Sequence, residues 1–286
     1  MKRILAGACL AAGLGTAAAF GAQGARLGVF VPEMFFPSAR EHFDPILADG
    51  TELGIGGRYL LPLSEDRFGE VSIGDYVGLA RWRLGRQTRL QVNLGGGILS
   101  RFNFSTVKNS LEVTDFTAAA PFDLTLRGGH AVRFGFWHTS SHLGDDYILR
   151  VRPAIVKKSL DSLKAIYAFS PKDRWRAYGG GAYAFNTVGI QGRGALQFGL
   201  EYMGATRWGP GIRWYVAQDT QTWERVKWNP TYCLQSGLRF SDEKRIAAAK
   251  VYVEYFTGRQ YFLQFNDVHE TRWSFGVGFD IGNPIK

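Results

Sequence analysis

Between Phe134 and Asp146 the chain reads Phe-Gly-Phe-Trp-His-Thr-Ser-Ser-His-Leu-Gly-Asp-Asp, bringing imidazoles, hydroxyls and carboxylates together in one short stretch. On an extended backbone, side chains alternate between faces. Phe134, Phe136, His138 and Ser140 then share one face, and Arg133, Gly135, Trp137 and Thr139 the other. A hydroxyl is a poor nucleophile until a neutral imidazole accepts its proton, so His138 as base and Ser140 as nucleophile form a candidate acyl-transfer pair. Residues two apart on a strand are about 6.6 Å apart at the backbone, so the two side chains must lean together. Asp145 or Asp146 would orient the base, or hold a cation that polarises an ester carbonyl. His142, Asp145 and Asp146 are also the candidate metal ligands, and calcium is the hard cation that suits two carboxylates. The same residues admit a structural reading: an Asp caps a turn, Gly144 supplies an unusual backbone angle, and the cluster shapes a rim.

The elements that carry this stretch are written with a period of two. Leu90, Val92, Leu94 and Ile98 alternate with Gln91, Asn93, Gly95 and Gly97, and Leu196, Phe198, Leu200 and Tyr202 alternate with Gln197, Gly199, Glu201 and Met203. Trp273, Phe275, Val277, Phe279 and Ile281 alternate with Ser274, Gly276, Gly278 and Asp280. A soluble sandwich would make its second face long and charged. Here that face is Gly-rich and sparsely polar, as in a barrel with a narrow lumen. Trp82, Trp137, Trp175, Trp208, Trp214, Trp228 and Trp273 stand near strand ends, as interfacial girdles require.

Segments near 51–62, 70–83, 87–101, 112–126, 130–140, 158–169, 174–186, 193–205, 209–219, 229–240, 246–257 and 271–281 predict twelve strands. The expectation is an all-β fold, a single transmembrane antiparallel β-barrel over residues 51–286. The Gly95-Gly-Gly97 and Gly179-Gly-Gly181 runs fit small lumen-facing positions, since neither precedes the Lys-Ser/Thr pair of a phosphate loop. Tyr183 and Tyr215 are candidates to fill the lumen, Asp242–Arg245 and Pro171–Asp173 read as turns, and His269-Glu270 as a solvated approach to the last strand. With both termini in the periplasm, the fifth strand delivers His138 and Ser140 to the outer rim on the lipid face.

Met1-Lys-Arg3 before an apolar run, with small residues at Ala17–Ala19 and Ala22, reads as a secretory signal over residues 1–24, with cleavage and export to the bacterial outer membrane. Cys9 falls inside it, which leaves Cys233 alone and no basis for a disulfide or a Cys metal site. Residues 25–50, with Pro32, Pro37 and Pro45, form an irregular segment that plugs or pads something near the periplasmic rim. The 286-residue chain holds 34 Lys and Arg against 25 Asp and Glu, a formal +9. Those cations are scattered, which argues against a nucleic-acid groove and suits anionic lipid headgroups or an anion-favouring pore.

His138-Thr-Ser140-Ser resembles the His-x-Ser-Asn-Gly signature of outer-membrane phospholipase A. That twelve-stranded barrel acts on membrane lipids from its lipid face, and an Asn on a following strand completes its triad. Ser141 and His142 stand where that family has Asn-Gly, and no Asn lies between Ser141 and Phe185. The likeness therefore carries over only to His138 and Ser140. The fuller His138-Thr-Ser-Ser-His-Leu-Gly-Asp-Asp-Tyr147 motif, the Gly199-Leu-Glu-Tyr202 strand and Tyr255-Phe-Thr-Gly-Arg-Gln260 resemble the bacterial domain of unknown function family 1207 over nearly the whole chain. That resemblance implies an outer-membrane barrel and brings no activity with it. Two functions follow: a barrel with a structural, transport or binding role around a polar His/Ser/Asp cluster, or a lipid acyl hydrolase acting on outer-membrane lipids.

Overall fold

The structure is a computed structural model that describes residues 31–37, 42–61, 66–106, 108–172, 174–207, 211–241 and 247–281. The expected signal at 1–24, Cys9, Trp208, Asp173 and the turn at Asp242–Arg245 lie outside the described residues.

Twelve antiparallel strands close into a barrel. They are β2 (Ile55–Leu61), β3 (Phe68–Arg83), β4 (Arg89–Asn103), β5 (Ser110–Leu126), β6 (His130–Leu143) and β7 (Lys158–Lys172), then β8 (Trp175–Val188), β9 (Gly194–Arg207), β10 (Ile212–Trp223), β11 (Thr231–Ser241), β12 (Ala247–Arg259) and β13 (His269–Ile281). Each strand pairs with its sequence neighbours, and β13 closes onto β2 from Trp273↔Leu61 to Phe279↔Ile55. Strand β2 is short and pairs with β3 only over Gly56–Leu60. A small β1 (Met34–Phe35) takes up the β3 edge further along, opposite Arg81 and Ala80. A helix α1 (Asp145–Val151) lies in the β6–β7 connection, and no helix among the described residues is long and apolar enough to cross a membrane.

Alternation sorts the faces. Leu196, Phe198 and Leu200 are each about half exposed, as are Leu94 and Phe275, whereas Gln91, Asn93, Gln197, Glu201 and Ser274 are buried inside. The outer face is therefore an apolar belt with Trp175, Trp228 and Trp273 exposed on it. Trp137 departs from the girdle expectation: it points inward and packs with Leu53, Tyr76 and Ala119. Tyr215 is fully buried and donates to Gln235 at 2.7 Å, while Tyr183 is exposed on the outer face and fills nothing.

The inner face is not sparsely polar. Glu70 accepts from Arg58 and Arg101, Glu254 pairs with Arg272 at 3.0 Å, and Glu270 with Arg101 at 2.9 Å. Glu270 thus faces this network instead of a solvated turn. Across the barrel Arg133 pairs with Asp123 at 2.7 Å, and Asp123 also accepts from Asn93 at 2.9 Å. Burying charges is tolerable only when each is matched, and here the matching runs from strand to strand.

Residues 42–54 lie within the barrel and not at a rim. The backbone carbonyls of Asp44 and Pro45 accept from Arg176 at 2.7 and 2.6 Å, and that of Leu47 from Lys250 at 3.0 Å. Asp49 accepts from Gln197 and Gln221 at 2.9 and 2.8 Å, and Glu52 pairs with Arg133 at 3.3 Å. Phe43, Ile46, Leu47 and Leu53 are buried among the strands. Leu53 falls within the segment 51–62 expected as the first strand, whereas β2 begins only at Ile55. Leu53 sits instead where Gly95 and Gly97 leave room, since a Cβ on either would crowd its side chain at 2.9–3.0 Å. The segment is a plug.

Connections 84–88 and 127–129 share the barrel end that carries both its termini, while 144–157, 224–230 and 260–268 cap the opposite end.

Candidate functional site

Strand β6 delivers the motif to the end with the longer connections. Arg133, Trp137 and Ser141 face inward, so Phe134, Phe136, His138, Ser140 and His142 face outward. The register places Asp161 of β7 directly opposite His138, and Asn186 of β8 directly opposite Asp161. The side chains meet. His138 Nδ1 and Asp161 Oδ1 are 2.6 Å apart, and Asn186 Nδ2 donates to Asp161 Oδ2 at 2.7 Å. A register shift between Asp161 and Ser162 is a bulge that leaves Phe185 and Asn186 both exposed, although they are adjacent in sequence. Without it, Asn186 would point inward. The row His138–Asp161–Asn186 thus lies across three strands on the outer face, where the His138 side chain is 39% exposed and that of Asp161 22%.

Hydrogen-bonded to Asp161 through Nδ1, a neutral His138 keeps Nε2 as the nitrogen open to a hydroxyl. Ser140 is two residues along on the same face, opposite Phe116 and Ser159, and no hydrogen bond engages its Oγ among the described residues. Phe136 and Phe185 lie 6.1 Å apart beside the row, and Phe116 meets the His142 ring edge-on at 5.6 Å. The setting is apolar.

The next residue serves a different purpose. Ser141 Oγ donates to Asp115, which also accepts from the Leu263 amide at 3.1 Å; Gln264 Nε2 donates to the Ser141 carbonyl at 3.2 Å. These bonds tie the 260–268 connection across the barrel mouth. Gly144 has an ordinary extended backbone, φ −71° and ψ 146°, so no unusual angle explains it. It is a glycine because a Cβ there would be driven into the Leu111 carbonyl oxygen.

Asp145 and Asp146 stand exposed in the first turn of α1, where negative charge suits a helix N-terminus, and neither bonds to His138. The carboxylate on that imidazole is Asp161. His142 faces outward against Phe116, and no group of three His, Cys, Asp or Glu side chains among the described residues is placed to hold a metal ion. His142 on the outer face of β6 and Asp145 and Asp146 in α1, the expected calcium ligands, are thus not gathered into one cluster. Asp161 and Asn186 escaped the sequence reading, although one signal was present. At outward parity Asp161 shares a strand face with the exposed Leu163 and Tyr167, and a carboxylate there is out of place.

A family model described as "Protein of unknown function (DUF1207)" matches residues 20–280. No curated protein matches the chain. Among solved structures, outer membrane phospholipase A from Escherichia coli aligns with a TM-score of 0.52 at 13% identity, over 81% of this chain and 92% of that one. The KdgM porin aligns at 0.44 and 11%, over 80% and 99%. An outer-membrane channel from Pseudomonas putida F1 aligns at 0.42 and 10%, over 83% and 99%. These are similarities of fold.

Proposed function

Since the chain belongs to the family described as protein of unknown function DUF1207 and folds as outer-membrane barrels do, we propose that it is a lipid acyl hydrolase working from its lipid-facing surface. The observation that carries this reading is the in-register His138–Asp161–Asn186 row, bonded at 2.6 and 2.7 Å on the outer face, with Ser140 beside it. Ionisable groups facing lipid are costly, and a barrel built only for stability would put apolar side chains there. The longer connections lie at the site's end, which by the usual asymmetry of such barrels faces the cell exterior. The substrates are then lipids of the outer leaflet.

In the reaction, Ser140 Oγ attacks the ester carbonyl while His138 Nε2 takes its proton, and Asp161 holds the imidazole and stabilises its charged form. Collapse of the tetrahedral intermediate breaks the ester C–O bond, and the imidazolium returns the proton to the departing alcohol. Water, activated by the same imidazole, then releases the fatty acid from Ser140.

Fatty-acid release from phospholipid and from lipid A by the refolded barrel, with and without calcium, tests the reading. Ser140→Ala and His138→Ala are expected to lower kcat by a factor on the order of 10³ or more while heat-modifiable migration of the folded barrel persists. Absence of release from the wild type in every condition sinks it.

A further inference from the structure

Inside the barrel, between the plug and the 260–268 connection, lies a cavity of ≈ 180 Å³. It opens on none of the outward groups above, and its chemistry is different. Three carboxylates line it, and each is held by partners within the protein. Asp49 accepts from Gln197 and Gln221, Glu52 pairs with Arg133, and Asp115 accepts from Ser141 and the Leu263 amide.

Two of the lining cations, Lys164 and Arg225, have aromatic rings as neighbours instead. Lys164 has Trp137 as its neighbour, its Nζ 5.9 Å from the ring centroid, and Arg225 stacks over Trp223 at 4.6 Å. Neither makes an ion pair among the described residues, and Arg225 Nε is buried with no hydrogen-bond partner there. Arg225 belongs to the 3-10 turn Glu224–Val226 at the mouth, where burial pulls its guanidinium down to about 10 against the opposing pull of Asp115. A guanidinium out of water with no hydrogen-bonded counter-ion is unfavourable, and an incoming anion would relieve it with short charge-assisted hydrogen bonds.

We propose that this cavity is a binding site for a small organic anion. Its acidic group meets Arg225, its ring or apolar body lies against Trp137 and Trp223, and Lys164 supplies a second positive charge. Mostly apolar walls around a few convergent polar groups are what such sites require. The scattered positive charge of the sequence gave no hint of it, because the two cations come from β7 and from the β10–β11 connection.

Isothermal titration calorimetry on the refolded full chain tests the proposal, with benzoate as the anion and benzyl alcohol as its neutral counterpart. Expected is saturable benzoate binding that raised salt weakens, and at least tenfold weaker binding of benzyl alcohol. Arg225→Gln or Lys164→Gln, with heat-modifiable migration intact, should weaken benzoate at least tenfold, while Arg225→Lys keeps most of the binding. Ser140→Ala should bind as the wild type does, which separates this site from the hydrolase reading. The proposal is overturned if benzoate shows no saturable binding, if benzyl alcohol binds equally well, or if benzoate binding survives in both Gln variants. Should those variants not fold, the salt dependence and the benzyl alcohol comparison on the wild type decide alone.

Discussion

Asp161 fixes which nitrogen of His138 carries the proton, and so which one faces Ser140. Replacing it tests the orienting role separately from the base. Asp161→Ala is expected to cost on the order of 10²–10⁴ in kcat with little change in KM, by analogy with removal of an orienting carboxylate elsewhere. Asp161→Asn should lose activity toward the upper end of that range, because an amide whose oxygen accepts from Asn186 turns its NH2 toward Nδ1 and imposes the wrong tautomer. Asn186 touches only the carboxylate, so Asn186→Ala should cost no more than about tenfold, consistent with an outer-shell partner. Wild-type activity in Asp161→Asn would count against orientation by hydrogen bonding. All three variants are read by steady-state fatty-acid release.

At the scale of the element, β6 carries the proposed chemistry on one face and construction on the other. Ser141 and Asp115 hold the 260–268 connection, and Ser141→Ala leaves a buried carboxylate short of a donor, which costs about 1–3 kcal/mol. A lowered urea midpoint in detergent checks this, with faster proteolysis of the 260–268 connection. Gly144→Ala acts differently, forcing β6 away from the Leu111 carbonyl where the Gly144 amide donates to the Glu112 carbonyl at 3.0 Å. Slower refolding is expected, with loss of the α1 contact Arg150–Glu112 at 2.6 Å. The motif was legible as a strand running into a loop, and its outward parity was legible too. Which serine does what was also implicit in that parity, since adjacent residues on a strand face opposite ways. The bulge at Phe185–Asn186 was not legible, because a bulge is a matter of how two strands pair.

For the molecule as a whole, the plug and the ion-pair network make the lumen a filled interior. Arg176 holds two plug carbonyls and Glu201 together, so Arg176→Ala should loosen the plug and raise single-channel conductance in planar bilayers above that of the wild type. Removing Glu254 takes the nearest carboxylate from the buried Arg272 and leaves it only the longer approaches to Glu270 and Glu70 at 3.5 and 3.8 Å, so Glu254→Ala should cost about 3–5 kcal/mol in denaturant unfolding. The sequence by itself determined the twelve strands, their approximate bounds and the face that most strand residues take, because a period of two is a local property of an extended backbone. It also marked His138 and Ser140. Only the tertiary structure decided that Asp161 and not Asp145 or Asp146 meets His138, and that Arg225 and Lys164 share a cavity. It likewise decided that residues 42–54 fill the barrel. Those outcomes depend on the register between strands distant in sequence and on how inward charges match around a closed ring, and no spacing along the chain encodes either.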